Sequence, residues 1–263
     1  MTIVRQVTSR HNDLFKDLRR LLTEPTAYRK LGRVWLEGDH LCRALLERGR
    51  APLRAIVTES AWATPALEAL ARNAPEVVCI PDALMRELSG LESPAAIGFL
   101  IAADTAAAPQ PGRDTVVLDR LQDPGNVGSI LRTASAMGFA QVVALKGSVA
   151  LWSPKVLRAG MGAHFALTLV EGAAIADVAA LGLPLVGTHL RDAQLLHETT
   201  LPSPQAWVFG HEGQGMSDAV TAACTLRVRI AQPGGEESLN VAAAAAMCLY
   251  EAARQRTSSL EHP

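Results

Sequence analysis

The sequence predicts an α/β protein of two domains, and three observations carry that expectation. Apolar runs of strand length alternate with amphipathic helical stripes from Arg33 onward. The runs beyond residue 113 are apolar throughout, the pattern of a parallel sheet covered on both faces. Between the two halves lies Asp-Thr-Ala-Ala-Ala-Pro-Gln-Pro-Gly-Arg, residues 104–113, a composition that supports no core. These mark a domain over 1–105, a linker over 106–113, a second domain over 114–256 and a polar tail over 257–263.

In the first domain, residues 1–12 are polar and read as frayed. Leu14, Leu18, Leu21 and Leu22 form a helical stripe from Asn12 or Asp13, with Lys16, Arg19 and Arg20 largely off it, and Pro25 ends the helix. Arg33–Glu37 is a strand, Gly38-Asp39 the turn into a helix through Leu45, and Gly49 its stop. Arg54–Val57, Val77–Ile80 and Ala96–Ala102 read as strands. Pro65–Ala71 reads as a helix, and Asp82 as the cap of another through Leu88. The expectation is an α/β sandwich of about 100 residues.

The second domain opens with a strand at Val116–Leu118. Asp123-Pro124-Gly125 reads as a tight turn in which Pro124 fixes φ and Gly125 permits φ > 0. Ile130, Leu131, Ala134 and Met137 then recur at helical spacing. Strands follow at 141–145, 166–170, 183–188, 207–210 and 226–230. Helices are expected from Ser153-Pro154, over 173–181 and 216–223, and over Leu239–Arg256.

Composition narrows the function. No apolar run reaches the roughly 18 residues that span a bilayer, and the N-terminus lacks a signal-peptide apolar region; a cytoplasmic protein is expected. The four cysteines have no zinc spacing and no two histidines stand at i, i+4, so no metal site is expected. Net charge is −1, against a generic polyanion binder, yet residues 1–54 hold twelve Lys and Arg against six Asp and Glu. A basic first third on an acidic body suits a polyanion contact there, or a solvated helix face.

Three clusters could carry chemistry. Asn126 and Arg132 sit at a loop exit and in the helix after it; Arg offers fixed donors to a phosphate, Asn a donor or acceptor to a hydroxyl. The bland alternative is a helix cap and a surface arginine. Phe209–Ser217 ends a strand in three glycines and Glu212, a loop that brings a ligand against bare backbone. The alternative is a tight turn with Ser217 as cap and Glu212 as a solvated acid. Ile230–Ala242 runs from a strand through Pro-Gly-Gly to Ser238 and Asn240 at a helix N-terminus, which caps the helix or holds an anion.

The order Asp-Pro-x-Asn-x-Gly-x-x-x-Arg-x-Ala, Asp123 to Ala134, resembles the first motif of the SpoU (TrmH-like) RNA 2′-O-ribose methyltransferases of the SPOUT class. The other two clusters match the second and third motifs in order, and Ser153-Pro154-Lys155 with Arg158–Phe165 adds a fourth match. One departure is Ala231, where the family usually has Pro. More loosely, Ser9-x-x-Asn12-x-x-x-Lys16, Leu36-Glu37-Gly38 and Pro94-x-x-Ile97 are similar to the substrate-binding domain that often precedes the SpoU domain.

The resemblance implies a SPOUT-type catalytic domain with a parallel sheet and a deep trefoil knot, behind a smaller RNA-binding domain. It implies methyl transfer from S-adenosyl-L-methionine to a ribose 2′-hydroxyl of RNA, rRNA more than tRNA, by a homodimer. Carried over by position, the cofactor lies against Thr188, Gly210, Ile230 and Leu239. Asn126, Arg132, Glu212, Ser238 and Asn240 match the polar active-site positions, with Arg132 reaching the partner's pocket. Two other readings stay open: a non-catalytic RNA-binding module of the same fold, and an unrelated α/β enzyme whose glycine loops hold a phosphorylated substrate.

Overall fold

A computed structural model describes residues 2–89, 93–190 and 192–261. The chain divides into two compact units, Met1–Thr105 with Trp152–Phe165, and Ala106–Leu151 with Ala166–Pro263.

The first unit contains, in order, β1 (Ile3–Gln6), α1 (Asp13–Thr23), α2 (Ala27–Leu31), β2 (Arg33–Glu37), α3 (Asp39–Glu47), β3 (Arg54–Thr58), α4 (Glu59–Trp62), α5 (Pro65–Ala71), β4 (Glu76–Ile80), α6 (Asp82–Leu88) and β5 (Ile97–Ala102). Its sheet has the order β1-β4-β3-β5-β2, with β5 antiparallel to both neighbours. Helix α1 forms where the sequence expects it. The Asn12 side chain accepts the Leu14 N–H at 2.9 Å, and Leu14, Phe15, Leu18 and Leu21 turn one face inward. Each such side chain contributes about 1.5–3 kcal/mol on burial.

Three details differ from expectation. Residues 3–6 are not frayed; they add a parallel edge strand to β4, with Ile3 opposite Glu76. All four are exposed, so backbone pairing and not burial holds them, and hydropathy carries no trace of it. Asp82 is not a cap but the first helical residue. Its carboxylate accepts the Ser60 N–H at 3.3 Å and the Ser60 hydroxyl, and the hydroxyl bond, first among the causes, holds its pKa below the usual range. The segment 152–165 carries the next helix, α7 (Pro154–Gly160). It clusters with this first unit, where Arg158 faces the buried Glu37 at 4.0 Å.

The second unit begins with β6 (Thr115–Asp119), α8 (Pro124–Ala136), β7 (Gln141–Leu145), β8 (Thr168–Ala173), α9 (Ile175–Ala179) and β9 (Leu185–Thr188). It continues with β10 (Gln194–Leu195), β11 (Ala206–Gly210), α10 (Asp218–Ala223), β12 (Leu226–Arg229) and α11 (Val241–Glu261). All seven strands are parallel, in the order β10-β12-β9-β11-β6-β7-β8. Strands β6, β7 and β11 are buried at every residue, as expected of a sheet covered on both faces.

The Asp123-Pro124-Gly125 turn is tighter than foreseen. Asp123 caps α8 by accepting the Asn126 N–H at 2.7 Å, and Pro124 and Gly125 are already helical. Gly125 is suited here by space, since a Cβ would stand 3.0 Å from Asp123 Oδ1. Helix α11 continues through Thr257 to Glu261; residues 262 and 263 lie outside the described residues.

Candidate active site

Because the strands are parallel, β9, β12, β11 and β6 all end on one side of the sheet, at Thr188, Arg229, Gly210 and Asp119. Ligands of open parallel sheets bind outside such carboxyl ends. A crevice of about 530 Å³ lies there, lined by the β9 end, the loop after β11 and the segment from β12 to α11. That volume is in the range of small-molecule sites.

The loop after β11 forms one wall through close backbone packing. A Cβ on Gly210 would meet Met216 N at 2.2 Å and Gly215 C at 2.3 Å, so only glycine fits. His211 Nδ1 accepts the N–H groups of Gly213 and Gln214 at 3.1 and 3.3 Å. From below, the buried Asp119 accepts the Ser217 N–H at 2.6 Å and pairs with Arg120 at 3.3 Å, while Arg120 Nη1 donates to Gln214 at 3.2 Å. Arg120 pays for this reach with a left-handed φ of 62°.

A polar chain ties this loop to α8 and α11. Asn240 Nδ2 donates to Asn126 Oδ1 at 3.0 Å, and Asn126 Nδ2 donates to Glu212 Oε1 at 3.3 Å. Asn240 Oδ1 also accepts the Ala242 and Ala243 N–H groups, capping α11. Glu212 accepts two further backbone donors, Gln122 N–H at 3.3 Å and Asp123 N–H at 3.2 Å. Partial burial pushes the Glu212 carboxyl up, but hydrogen bonds from its own backbone, Asp123, Asn126 and Gln122 outweigh this and hold its pKa below the ordinary glutamate value. It is therefore an anion at neutral pH with its lone pairs engaged.

Of the residues singled out in the sequence, Thr188, Gly210, Ile230, Leu239, Glu212 and Ser238 line the crevice. Asn126 and Asn240 join it through Glu212. Arg132 does not line it. Six residues beyond Asn126, it stands about 240° further round α8, exposed, and its side chain makes no hydrogen bond or ion pair among the described residues. Sequence reasoning missed Asp119, Arg120 and the lining residues Arg229, Gln232 and Glu237. An acid ending a fully apolar strand was the one available signal for Asp119. Among the described residues, no group of three or more His, Cys, Asp or Glu is arranged to hold a metal.

Fold and crevice together define an α/β protein with a small-molecule-sized crevice at the carboxyl ends of a parallel sheet. Residues 114–250 match the SpoU rRNA Methylase family, and the chain belongs to it. It is 33% identical over 262 residues to an uncharacterized tRNA/rRNA methyltransferase of Synechocystis sp., covering 96% of this chain and 95% of that one. It is 27% identical over 253 residues to the 23S rRNA (guanosine(2553)-2'-O)-methyltransferase RlmP of Bacillus subtilis, covering 94% and 98%. Among solved structures, the SpoU methyltransferase AviRb from Streptomyces viridochromogenes in complex with AdoMet superposes with a TM-score of 0.84 at 26% identity, covering 94% and 99%. An AdoMet-bound rRNA methyltransferase from Sinorhizobium meliloti gives 0.83 at 26% identity, covering 95% and 98%.

Proposed function

We propose that this chain is an S-adenosyl-L-methionine-dependent RNA 2′-O-ribose methyltransferase acting on rRNA in the cytoplasm. The observation that carries this reading is the crevice itself. Three remote stretches, at 188–190, 210–216 and 228–244, line it around Gly210, and the Asn240–Asn126–Glu212 chain adjoins it. Two features of the crevice fit the cofactor. Gly210 lets the loop backbone at Gly215 and Met216 pack directly on the end of β11, which fixes that wall of the crevice. Ile230, Leu239 and Val241 offer apolar walls for a flat ring.

When bound, the cofactor supplies an electrophilic methyl group on a sulfonium. The chain's own residues do the rest. Thr188, Gly210, Ile230 and Leu239 bind and orient the donor. Glu212, engaged by Gln122, Asp123 and Asn126, fixes the wall and leaves little capacity to take a proton. Ser238 and the Asn126–Asn240 pair are the neutral groups available to a ribose hydroxyl. Arg132 is permanently charged and so a poor general base. Its role is to bind the phosphate beside the target ribose, whose oxygen then accepts the hydroxyl proton.

Arg132 is not among the residues lining its own crevice, and this favours a homodimer in which Arg132 of one protomer completes the crevice of its partner. Exposed Met247 and Tyr250 on α11 suit such an interface. A trefoil knot in the domain over 114–256 is part of this reading. The strand order, with β11 between β9 and the earlier β6, is compatible with it.

RNA contact falls to the domain over 1–105. On α1 the cations are engaged: Lys16 with Asp13, Arg19 with Glu87 and Arg20 with Glu24. Lys30, Arg33, Arg48 and Arg50 are exposed and make no ion pair among the described residues. They cluster where β2 and β3 begin and β5 ends, with Arg33 opposite Ala102 and Arg54 opposite Leu100. That end of the sheet is the phosphate-binding face of this reading. Among the described residues no helix is long and apolar enough to cross a membrane. Mass spectrometry of rRNA from cells with and without the gene tests the whole proposal. Loss of one 2′-O-methyl nucleotide supports it, and an unchanged set overturns it.

A further inference from the structure

Arg120 follows the end of β6 in a backbone conformation that suits glycine, with φ 62°. Among the described residues, two other non-glycine residues have positive φ. Met161 ends helix α7, and Asp192 has a short polar side chain of the kind that tolerates this region. Neither reason applies to Arg120. Its turn is held through backbone groups: the N–H donates to Ser148 Oγ at 3.0 Å, and the carbonyl accepts Gln122 Nε2–H at 3.2 Å. Glycine would meet both demands without strain, so the side chain, not the turn, accounts for an arginine here.

That side chain bridges two others. Nε pairs with Asp119 Oδ1 at 3.3 Å, and Nη1 donates to Gln214 Oε1 at 3.2 Å. Asp119 Oδ2 accepts the Ser217 N–H at 2.6 Å. One buried carboxylate therefore holds the loop after β11 directly at Ser217 and through Arg120 at Gln214. The loop's own hydrogen bonds, from the Gly213, Gln214 and Gly215 N–H groups to His211, fix its shape but not its direction. Glu212 and Ser217 are tied from outside on either side of the tip. At the tip, Gly213–Gly215, the bond from Arg120 is the one hydrogen bond from outside the loop among the described residues. All three tip residues line the crevice, and Arg120 does not.

We propose that Arg120 is a positioning residue for the cofactor: by holding Gln214 it sets the crevice wall at Gly213–Gly215, without touching the cofactor itself. This rests on the reading that the crevice holds S-adenosyl-L-methionine. A second use of the guanidinium is to neutralise the buried Asp119, and lysine separates the two. Lysine keeps a positive charge beside Asp119 but lacks the planar fork that reaches two acceptors in fixed directions.

Calorimetry with S-adenosylhomocysteine on the full chain tests it, using Arg120→Lys, Gln214→Ala and the double variant. Each single variant is expected to bind about 3- to 10-fold more weakly than wild type, the value of one hydrogen bond. The double variant is expected to lose no more than either alone, because both changes remove the same bond. Gln214 is exposed, so Gln214→Ala is expected to melt within about 2 °C of wild type, which separates its loss from misfolding. Turnover of that variant at saturating S-adenosylmethionine is expected to match wild type, with the loss confined to KM. Wild-type affinity in either single variant overturns the assignment while leaving the cofactor reading intact. So do losses that add in the double variant, since Gln214 would then meet the ligand on its own account. Failure of wild type to bind S-adenosylhomocysteine overturns both.

Discussion

Gly210→Ala probes how the crevice is built. The added Cβ would stand 2.2 Å from Met216 N and 2.3 Å from Gly215 C. Both are backbone atoms, so no rotamer change relieves the clash. Ordinary contact needs about 3.5 Å, so the wall must retreat by more than about 1 Å. The retreating segment carries Ser217, whose N–H is held by buried Asp119 at 2.6 Å. Either that bond breaks or the end of β11 shifts. Overpacking of this kind costs about 1–3 kcal/mol. For a chain of this size, melting should fall by about 2–4 °C for each kcal/mol lost. A wall displaced by about 1 Å should also lower turnover by about 100-fold. Differential scanning calorimetry and a titration with S-adenosylmethionine read the two effects separately. A variant that melts with wild type and binds cofactor with unchanged affinity would refute this construction of the crevice.

Further outcomes follow from the same geometry. Arg132→Ala is expected to bind cofactor normally and to lose methyl transfer, because Arg132 is absent from its own crevice lining; full turnover in that variant would remove Arg132 from the chemistry. Glu212 has its pKa lowered on folding, so the stability it contributes is present above the unfolded value of 4.5 and is lost as pH falls through the lower folded value. Glu212→Gln should therefore be less stable than wild type at neutral pH and converge with it in acid, as thermal melts across that range would read. Changing Lys30, Arg33, Arg48 and Arg50 together to Gln should weaken RNA binding and flatten its dependence on log[salt] by about 0.7–0.9 for each phosphate left without its cation. The corresponding change of Lys16, Arg19 and Arg20, all engaged in ion pairs, should alter the slope much less.

The strands of the second unit are legible in the sequence because burial on both faces leaves an uninterrupted apolar run, as at Val116–Leu118 and Trp207–Gly210. Helix α1 is legible because its cap and its stripe agree. The edge strand Ile3–Gln6 is not, since it is held by hydrogen bonds to β4 and buries nothing. Short helices such as Ala27–Leu31 and Glu59–Trp62 span too little chain to display a period. At the site, the glycine-bearing loops announce themselves, whereas the coupling of Asn126 to Glu212 and Asn240 spans 86 and 114 residues and exists only once the sheet has formed. The separation of Arg132 from that cluster depends on its angular position on α8.

The most direct test of the central claim is transfer of a labelled methyl group from S-adenosylmethionine to ribosome-derived RNA by the purified chain, with the labelled nucleoside identified by mass spectrometry. The account expects the label on a ribose 2′-oxygen at one site. Label on a base, or no label on RNA despite cofactor bound in the crevice, would contradict it.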